Sequence, residues 1–177
     1  EHCQGSRHHG DQGIDAVSPD QHLHSIPCFL HPGAVDLAAV SDGVIFSMQT
    51  RVCRLYGQND LRIETETVAR PAKNDVLVRV GAGGVCGSDM HYYFDGGIGL
   101  IRVREPIILG HEAAGTILDT GSDVSGLVPG QKVATNPSRP CGTCQYCAQK
   151  LHQHCLNMRF FGSAMPMPHM QGLFRDL

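Results

Sequence analysis

The sequence lacks the features that would point to nucleic acid or to a membrane. Its 177 residues carry 14 lysines and arginines against 17 acidic residues, a net charge of −3. Nucleic-acid-binding proteins usually have a basic excess, so this charge argues against nucleic acid as a partner. No apolar run approaches the roughly 20 residues that a membrane-spanning helix needs. The length is sufficient for one domain with a core of its own.

A secretory signal is also missing from the start of the sequence. Residues 1–13 are polar and rich in histidine and glycine, whereas a signal peptide has an apolar central region. We therefore expect the cytoplasm as the location. The first residue is Glu1 rather than methionine, so the sequence is compatible with a fragment whose true start it does not fix.

A change of pattern near Ser47 and Met48 divides the chain. Residues 1–47 mix Gly, Pro, Ser and Asp without a sustained hydrophobic period, and we expect a disordered or spurious extension there. A metal-binding tract is the alternative, although its histidines are too scattered to define a geometry. These histidines are His2, His8, His9, His22, His24 and His31.

From residue 48 onward the pattern predicts a mostly β domain. The predicted strands cover 50–56, 61–68, 76–80, 113–118 and 130–135. We predict a short helix over 88–94 with Ser88 or Asp89 as its cap, and a bend at the glycine-rich residues 81–84. Many short strands with glycine turns predict a closed or partly closed β-barrel, from which residues 141–155 protrude as a lobe.

Four cysteines form the strongest motif. Two residues separate Cys141 from Cys144 and Cys144 from Cys147, and Cys155 follows after seven more. This spacing lets successive thiolates turn onto one ion, and four thiolates favour a structural zinc that is closed to substrate. An iron–sulfur cluster is the main alternative, but ferredoxin motifs continue with a three-residue gap and a proline. Disulfide pairing is a third alternative, which a reducing compartment disfavours.

A second pair of candidate ligands lies upstream of the cysteine lobe. Cys86 stands 25 residues before His111, and both a thiolate and an imidazole suit zinc. Taken alone, the pair is a weak signal. A free cysteine in a strand is more often a buried packing residue, and a histidine after a glycine is usually a loop residue.

The residues around this pair resemble a known family. The segment 110–115 (Gly-His-Glu-Ala-Ala-Gly), continued by Gly121 and Val124, resembles the signature of zinc-containing medium-chain alcohol dehydrogenases. The segment Cys86-Gly-Ser-Asp stands where that family has its first zinc ligand, and the cysteine lobe matches the family's structural zinc lobe. The resemblance covers residues 48–177 and implies a GroES-like barrel. Three further segments are similar to its polyol and sugar-acid branch, the L-idonate 5-dehydrogenases and sorbitol dehydrogenases: 91–94, 136–142 and 158–165.

The resemblance implies a catalytic zinc and a reaction. Cys86 and His111 match zinc ligands, and Glu112 matches a residue beside the metal that either ligates it or tunes it. In this family a secondary alcohol is oxidised to a ketone while hydride passes to NAD or NADP. Zinc would bind the alcohol oxygen and lower its proton affinity. The implied substrate is a small polyol or a sugar acid such as L-idonate.

Roles for the neighbouring residues also follow from the resemblance. Ser88 matches the hydroxyl that accepts the substrate proton, and Asp89 matches the carboxylate that orients the zinc-bound imidazole. His91 either extends the proton relay or is a surface histidine. Tyr92 and Phe161 either line the substrate pocket or are ordinary packing aromatics.

The sequence departs from the family at the cofactor. No Gly-x-Gly-x-x-Gly motif follows a predicted strand, and the near-match at 81–84 lacks the helix and the later acidic residue. We therefore expect no nicotinamide site in residues 1–177, and a further zinc ligand, a glutamate in polyol dehydrogenases, beyond Leu177. On this basis we expect residues 1–177 alone to be inactive and to hold the catalytic zinc weakly.

Two functions compete at this point. In the first, residues 48–177 are the incomplete catalytic domain of a dehydrogenase that, like its relatives, forms a homo-oligomer. In the second, they are a non-catalytic zinc-binding β-barrel that acts as a structural or interaction module. A pure binding module has no need of a combined set of ligands and proton-transfer residues, which favours the first. This set comprises Cys86, Ser88, Asp89, His111 and Glu112.

Overall fold

The structure, a computed structural model, describes residues 47–177. The predicted disordered extension and the alternative His-rich tract lie outside the described residues, apart from the backbone of Ser47. The strands are β1 (Ser47–Gly57), β2 (Asp60–Ala69), β3 (Val76–Gly84), β4 (Gly97–Ile98), β5 (Ile101–Arg102), β6 (Ile107–Ile108), β7 (Glu112–Thr120), β8 (Lys132–Ala134), β9 (Ser138–Arg139) and β10 (Arg159–Phe160). The helices are α1 (Gly87–Asp95), α2 (Gln145–Ala148) and a 3₁₀ turn (His152–His154).

Two antiparallel three-stranded sheets, ordered β2-β1-β6 and β3-β7-β8, contain most of the strand residues in 47–177. The segment 174–176 joins them. Asp176 N donates to Arg51 O of β1 at 3.0 Å, and Val80 N of β3 donates to Asp176 O at 2.9 Å. This connection gives a partly closed arrangement of two sheets, in place of the fully closed barrel that was one of the two expected forms.

β1 and β2 form an antiparallel hairpin at the two strands that the sequence predicts. Val52 and Leu55 are buried in β1, and Cys53 pairs with the exposed Ile63 of β2. Asn59 in the connecting turn has a φ of 61°, a conformation that asparagine adopts more readily than most residues. The predicted strands at 50–56 and 61–68 both lie inside the observed ones.

The glycine-rich residues 81–84 continue β3, so the predicted bend before Cys86 is wrong. Gly84 pairs with Glu112 of β7, and a Cβ on Gly84 would overlap the Glu112 side chain. The glycines therefore allow two strands to approach closely. The pairing of β3 with β7 is irregular at these glycines, where the register shifts between Val80 and Ala82.

Helix α1 covers the predicted helix and is one residue longer at each end. Its N-cap residue is Cys86, so the prediction of Ser88 or Asp89 as the cap is wrong. Asp89 takes part in the cap from the third helical position, where its Oδ2 accepts a hydrogen bond from Cys86 N at 3.0 Å. Gly96, with a φ of 66°, ends the helix in the left-handed conformation.

The main core lies between β1, β6, α1 and the segment 172–174. Leu55 and Ile107 are fully buried there, and Phe174 packs against them with the ring of Tyr92. Because Ile107 and Ile108 are held in this core, the residues that follow them, Gly110 and His111, have a fixed position. None of the helices in residues 47–177 combines the length and the apolar character that a bilayer crossing requires.

Candidate metal centres

The four cysteines of the lobe converge on one point. The Sγ atoms of Cys141, Cys144, Cys147 and Cys155 all lie within 4.8 Å of one another, and those of Cys144 and Cys155 are 4.0 Å apart. A zinc ion with bonds of about 2.3 Å to four thiolates has sulfur–sulfur edges of about 3.8 Å. None of the four is in a disulfide. The donor set therefore fits a closed zinc site.

Local backbone geometry brings these thiols together. Gly142 has a φ of 75°, which lets the chain turn between the first two cysteines. Cys144 is the N-cap residue of α2, and Cys155 ends the 3₁₀ turn. Cys141 N donates a hydrogen bond to Cys155 Sγ at 3.2 Å, which ties the first ligand to the last.

The cysteine pKa values differ within the lobe. Hydrogen bonds from the backbone and the hydroxyl of Thr143 lower the pKa of the Cys141 thiol to about 5. A backbone hydrogen bond from Cys147 lowers the pKa of Cys144, whereas burial raises the pKa of Cys147 to about 12. Metals bind the thiolate form, so Cys141 is ready to bind near neutral pH. Cys147 would lose its proton when a cation offsets the cost of a buried charge.

A second set of candidate ligands lies at the edge of the main core. The ligand atoms of Cys86, His111 and Glu112 all lie within 4.8 Å of one another. Cys86 is the N-cap residue of α1, while His111 directly precedes β7 and Glu112 is the first residue of that strand. One thiolate, one imidazole and one carboxylate are a donor set that suits a catalytic zinc with an exchangeable position.

Asp89 links the two segments that carry these ligands. Its side chain is 3% exposed, and its two oxygens accept hydrogen bonds from Cys86 N and Gly110 N, both at 3.0 Å. Asp89 Oδ1 also lies 3.7 Å from His111 Nδ1. One buried carboxylate therefore holds the backbone on both sides of the site and faces the imidazole.

The remaining predicted site residues occupy different environments. Ser88 is half-buried on the first turn of α1. His91 is exposed and pairs with Asp95 at 2.7 Å, which agrees with the surface-histidine alternative. Tyr92 is 4% exposed and its hydroxyl accepts a hydrogen bond from Ala164 N at 3.2 Å, which favours the packing alternative.

Phe161 lines a cavity whose wall is formed largely by residues of β3, β7 and the segment 169–177. The cavity has a volume of about 500 Å³, and its wall includes Ala113, which directly follows Glu112 in β7. The Arg139 guanidinium lies 5.8 Å from the centroid of the Phe161 ring. The cavity wall also carries Thr135. None of Cys86, His111 and Glu112 lines this cavity, so the substrate-lining role of Phe161 stays a prediction.

Sequence reasoning missed Phe160. Its ring centroid lies 5.3 Å from that of His111, with 54° between the planes. Phe160 and Phe161 are consecutive aromatic residues, so side-chain alternation in a strand places them on opposite faces. Only the pairing of β10 with β9 decides which of the two faces His111.

The comparisons with known proteins agree with this geometry. Residues 72–177 match the model of the alcohol dehydrogenase GroES-like domain. L-idonate 5-dehydrogenase (NAD(P)(+)) of Escherichia coli K12 is 42% identical over 127 residues, which are 72% of this chain and 36% of that protein. Human sorbitol dehydrogenase is 40% identical over 112 residues, which are 63% of this chain and 31% of that protein. The chain therefore spans about a third of the length of these relatives.

Solved structures show the same likeness. The crystal structure of L-idonate 5-dehydrogenase from Escherichia coli superposes with a TM-score of 0.70 at 40% identity, covering 76% of this chain and 38% of that one. Galactitol-1-phosphate dehydrogenase from Escherichia coli superposes with a TM-score of 0.61 at 30% identity, covering 71% of this chain and 34% of that one. The predicted family and the predicted GroES-like fold are confirmed. This chain belongs to the alcohol dehydrogenase GroES-like domain family.

Proposed function

We propose that this chain supplies the catalytic zinc site of an oxidoreductase that oxidises a secondary alcohol of a polyol or sugar acid to a ketone. The observation that carries the proposal is the convergence of Cys86, His111 and Glu112 to within 4.8 Å. The substrate class comes from the relatives, whose names are L-idonate 5-dehydrogenase and sorbitol dehydrogenase. NAD or NADP is the hydride acceptor.

Each residue of the second site has a distinct task in this proposal. Cys86 and His111 hold the metal and Glu112, on the open side of the site, either completes the ligand set or tunes it. A bound zinc ion would polarise the alcohol oxygen and lower its pKa. Ser88 would take the hydroxyl proton and pass it towards solvent, and a bound nicotinamide would supply the acceptor for the hydride of the carbinol carbon. Asp89 holds the ligand segments and faces the His111 ring.

The four-cysteine lobe has a separate task. Its four thiolates leave no open position for a substrate, so a zinc ion there would stabilise the fold. We also propose a cytoplasmic homo-oligomer with a small-molecule substrate, without nucleic acid or membrane as a partner. The net charge of −3 and the lack of a membrane-spanning helix in residues 47–177 are compatible with this view.

The test is an assay of the full-length product of the gene that encodes this chain, with residues 1–177 alone, which we expect to be inactive, as the comparison. L-idonate, sorbitol and xylitol are offered with NAD or NADP, and cofactor reduction is followed by absorbance. We expect turnover of at least one of them, and its loss in His111→Ala. The matched control is His152→Ala, an exposed histidine in the lobe, which should retain activity. Full activity in His111→Ala would refute the proposed site. No turnover of any polyol or sugar acid would favour the non-catalytic zinc-binding module.

A further inference from the structure

The cysteine lobe is closed at its base by two short strands. β9 ends two residues before Cys141, and β10 begins four residues after Cys155. The two strands pair antiparallel, with Arg139 opposite Arg159 and Ser138 opposite Phe160. The ends of the lobe therefore meet at a ladder of two residue pairs. Such a short ladder is marginal on its own, so the closed lobe is what holds it together.

One residue of this ladder reaches the second candidate metal site. The Phe160 ring lies 5.3 Å from the His111 ring, at an interplanar angle of 54°. These values are typical of a favourable contact between two aromatic rings. The His111 side chain is 11% exposed, so the contact lies in a largely buried environment.

Polar contacts do not by themselves fix the orientation of that ring. Asp89 Oδ1 is 3.7 Å from His111 Nδ1, and Glu112 Oε1 is 4.0 Å from Nε2. Both distances are longer than a hydrogen bond. The ring of Phe160 is therefore a packing partner that limits rotation of the imidazole about its side-chain bonds.

Phe160 is itself held from the other side. Gly162, with a φ of 69°, packs so closely on the Gly110 backbone that a Cβ would lie 2.7 Å from Gly110 O. Phe161 N donates to Pro137 O at 3.1 Å, which extends the pairing beyond β9. The position of Phe160 thus depends on the lobe at one end and on the His111 segment at the other.

We propose that Phe160 is a positioning residue for His111, and that metal in the lobe raises the metal affinity of the second site through β9 and β10. The inference rests on the proposed function, because it requires Cys86, His111 and Glu112 to bind metal. Without metal, no ion holds the four cysteines together, so the closed ladder and the ring contact are populated less than with metal bound. Because the coupling is thermodynamic, metal at the second site also favours metal in the lobe.

The test is a cobalt titration of the metal-free chain after the lobe has been filled with one equivalent of Zn²⁺. Co²⁺ absorption reports both affinity and ligand geometry at the second site. In Phe160→Leu we expect Co²⁺ affinity to fall about tenfold, as for loss of other groups that orient a ligand, with a changed visible spectrum. Zinc affinity of the lobe should stay the same. Phe160→Tyr, which keeps the ring, should restore the wild-type spectrum.

Two further variants separate the explanations. Phe94→Leu is the matched control, because Phe94 is an exposed phenylalanine whose ring contacts Tyr93, and its Co²⁺ binding should equal that of the wild type. Cys144→Ser, which removes a ligand of the lobe, should weaken Co²⁺ binding at the second site as well. Circular dichroism shows whether this variant is folded, and the Phe160 comparison does not depend on it.

The outcomes are distinguishable. Unchanged Co²⁺ affinity and spectrum in Phe160→Leu, with a second site that binds Co²⁺ in the wild type, would overturn this inference and leave the proposed function standing. A wild-type chain that binds metal in the lobe and none at Cys86 and His111 would overturn both.

Discussion

Replacement of Asp89 by asparagine should destabilise the domain by breaking the link between the two ligand segments. The Asp89 carboxylate is 3% exposed and accepts hydrogen bonds from Cys86 N and Gly110 N, both at 3.0 Å. Asparagine has nearly the same shape, but its amide nitrogen is a donor and faces one of these N–H groups. One charge-assisted hydrogen bond is lost and a buried donor is left unpaired, which costs about 2–3 kcal/mol.

For a domain of this size, 1 kcal/mol corresponds to about 3–4 °C in Tm, so we expect Asp89→Asn to lower Tm by about 6–12 °C. The assay is thermal and urea denaturation of the chain with excess zinc, followed by circular dichroism. Asp95→Asn is the matched control, because Asp95 lies on the same helix and its side chain is 59% exposed. The control should change stability by less than about 0.5 kcal/mol. Equal stability of the two variants would refute the role assigned to Asp89.

Three further predictions follow from packing, hydrogen bonding and charge. A Cβ at Gly121 would overlap a backbone carbonyl oxygen, so Gly121→Ala should lower the free energy of unfolding in urea by about 1–3 kcal/mol. Gly57 has open space around it, so Gly57→Ala should not lower that free energy. Tyr92→Phe leaves a buried N–H without its acceptor and should cost about 1–2 kcal/mol; a changed KM with unchanged stability would instead support the substrate-lining role. While the metal-free lobe is closed, hydrogen bonds hold the pKa of Cys141 at about 5 and burial raises that of Cys147 to about 12. Iodoacetamide should therefore modify Cys141 at neutral pH, more slowly as the pH falls through about 5, and leave Cys147 unmodified; equal labelling of both by mass spectrometry would contradict this.

The predictable parts of the fold are those that depend on local pattern. Short runs with strand character located β1 and β2, and the cysteine spacing located the lobe, because both signals lie within short stretches of chain. Residues 81–84 were misread because glycines also permit close strand pairing, and only the partner strand β7 shows which use applies. The cap of α1 was misplaced because cysteine is not among the usual capping residues, while Asp89 acts from the third helical position.

The candidate site was predictable in its ligands and less so in its supporting residues. Cys86, His111 and Glu112 come together as the family resemblance implies. The roles of aromatic residues depend on which face of an element they occupy, and tertiary packing decides that. The Tyr92 hydroxyl accepts a hydrogen bond from Ala164 N. Phe160, and not the neighbouring Phe161 that was predicted as a site residue, has the ring that contacts His111.

The most direct test of two metal sites is the zinc content per chain, measured by elemental analysis of the purified protein and of Cys144→Ser. We expect two zinc ions in the wild type under excess zinc. One is bound tightly by the four cysteines and one more weakly by Cys86, His111 and Glu112. Cys144→Ser should lose the tightly bound ion together with folding stability. Iron with inorganic sulfide, or no metal in the wild-type chain, would contradict the assignment of both sites.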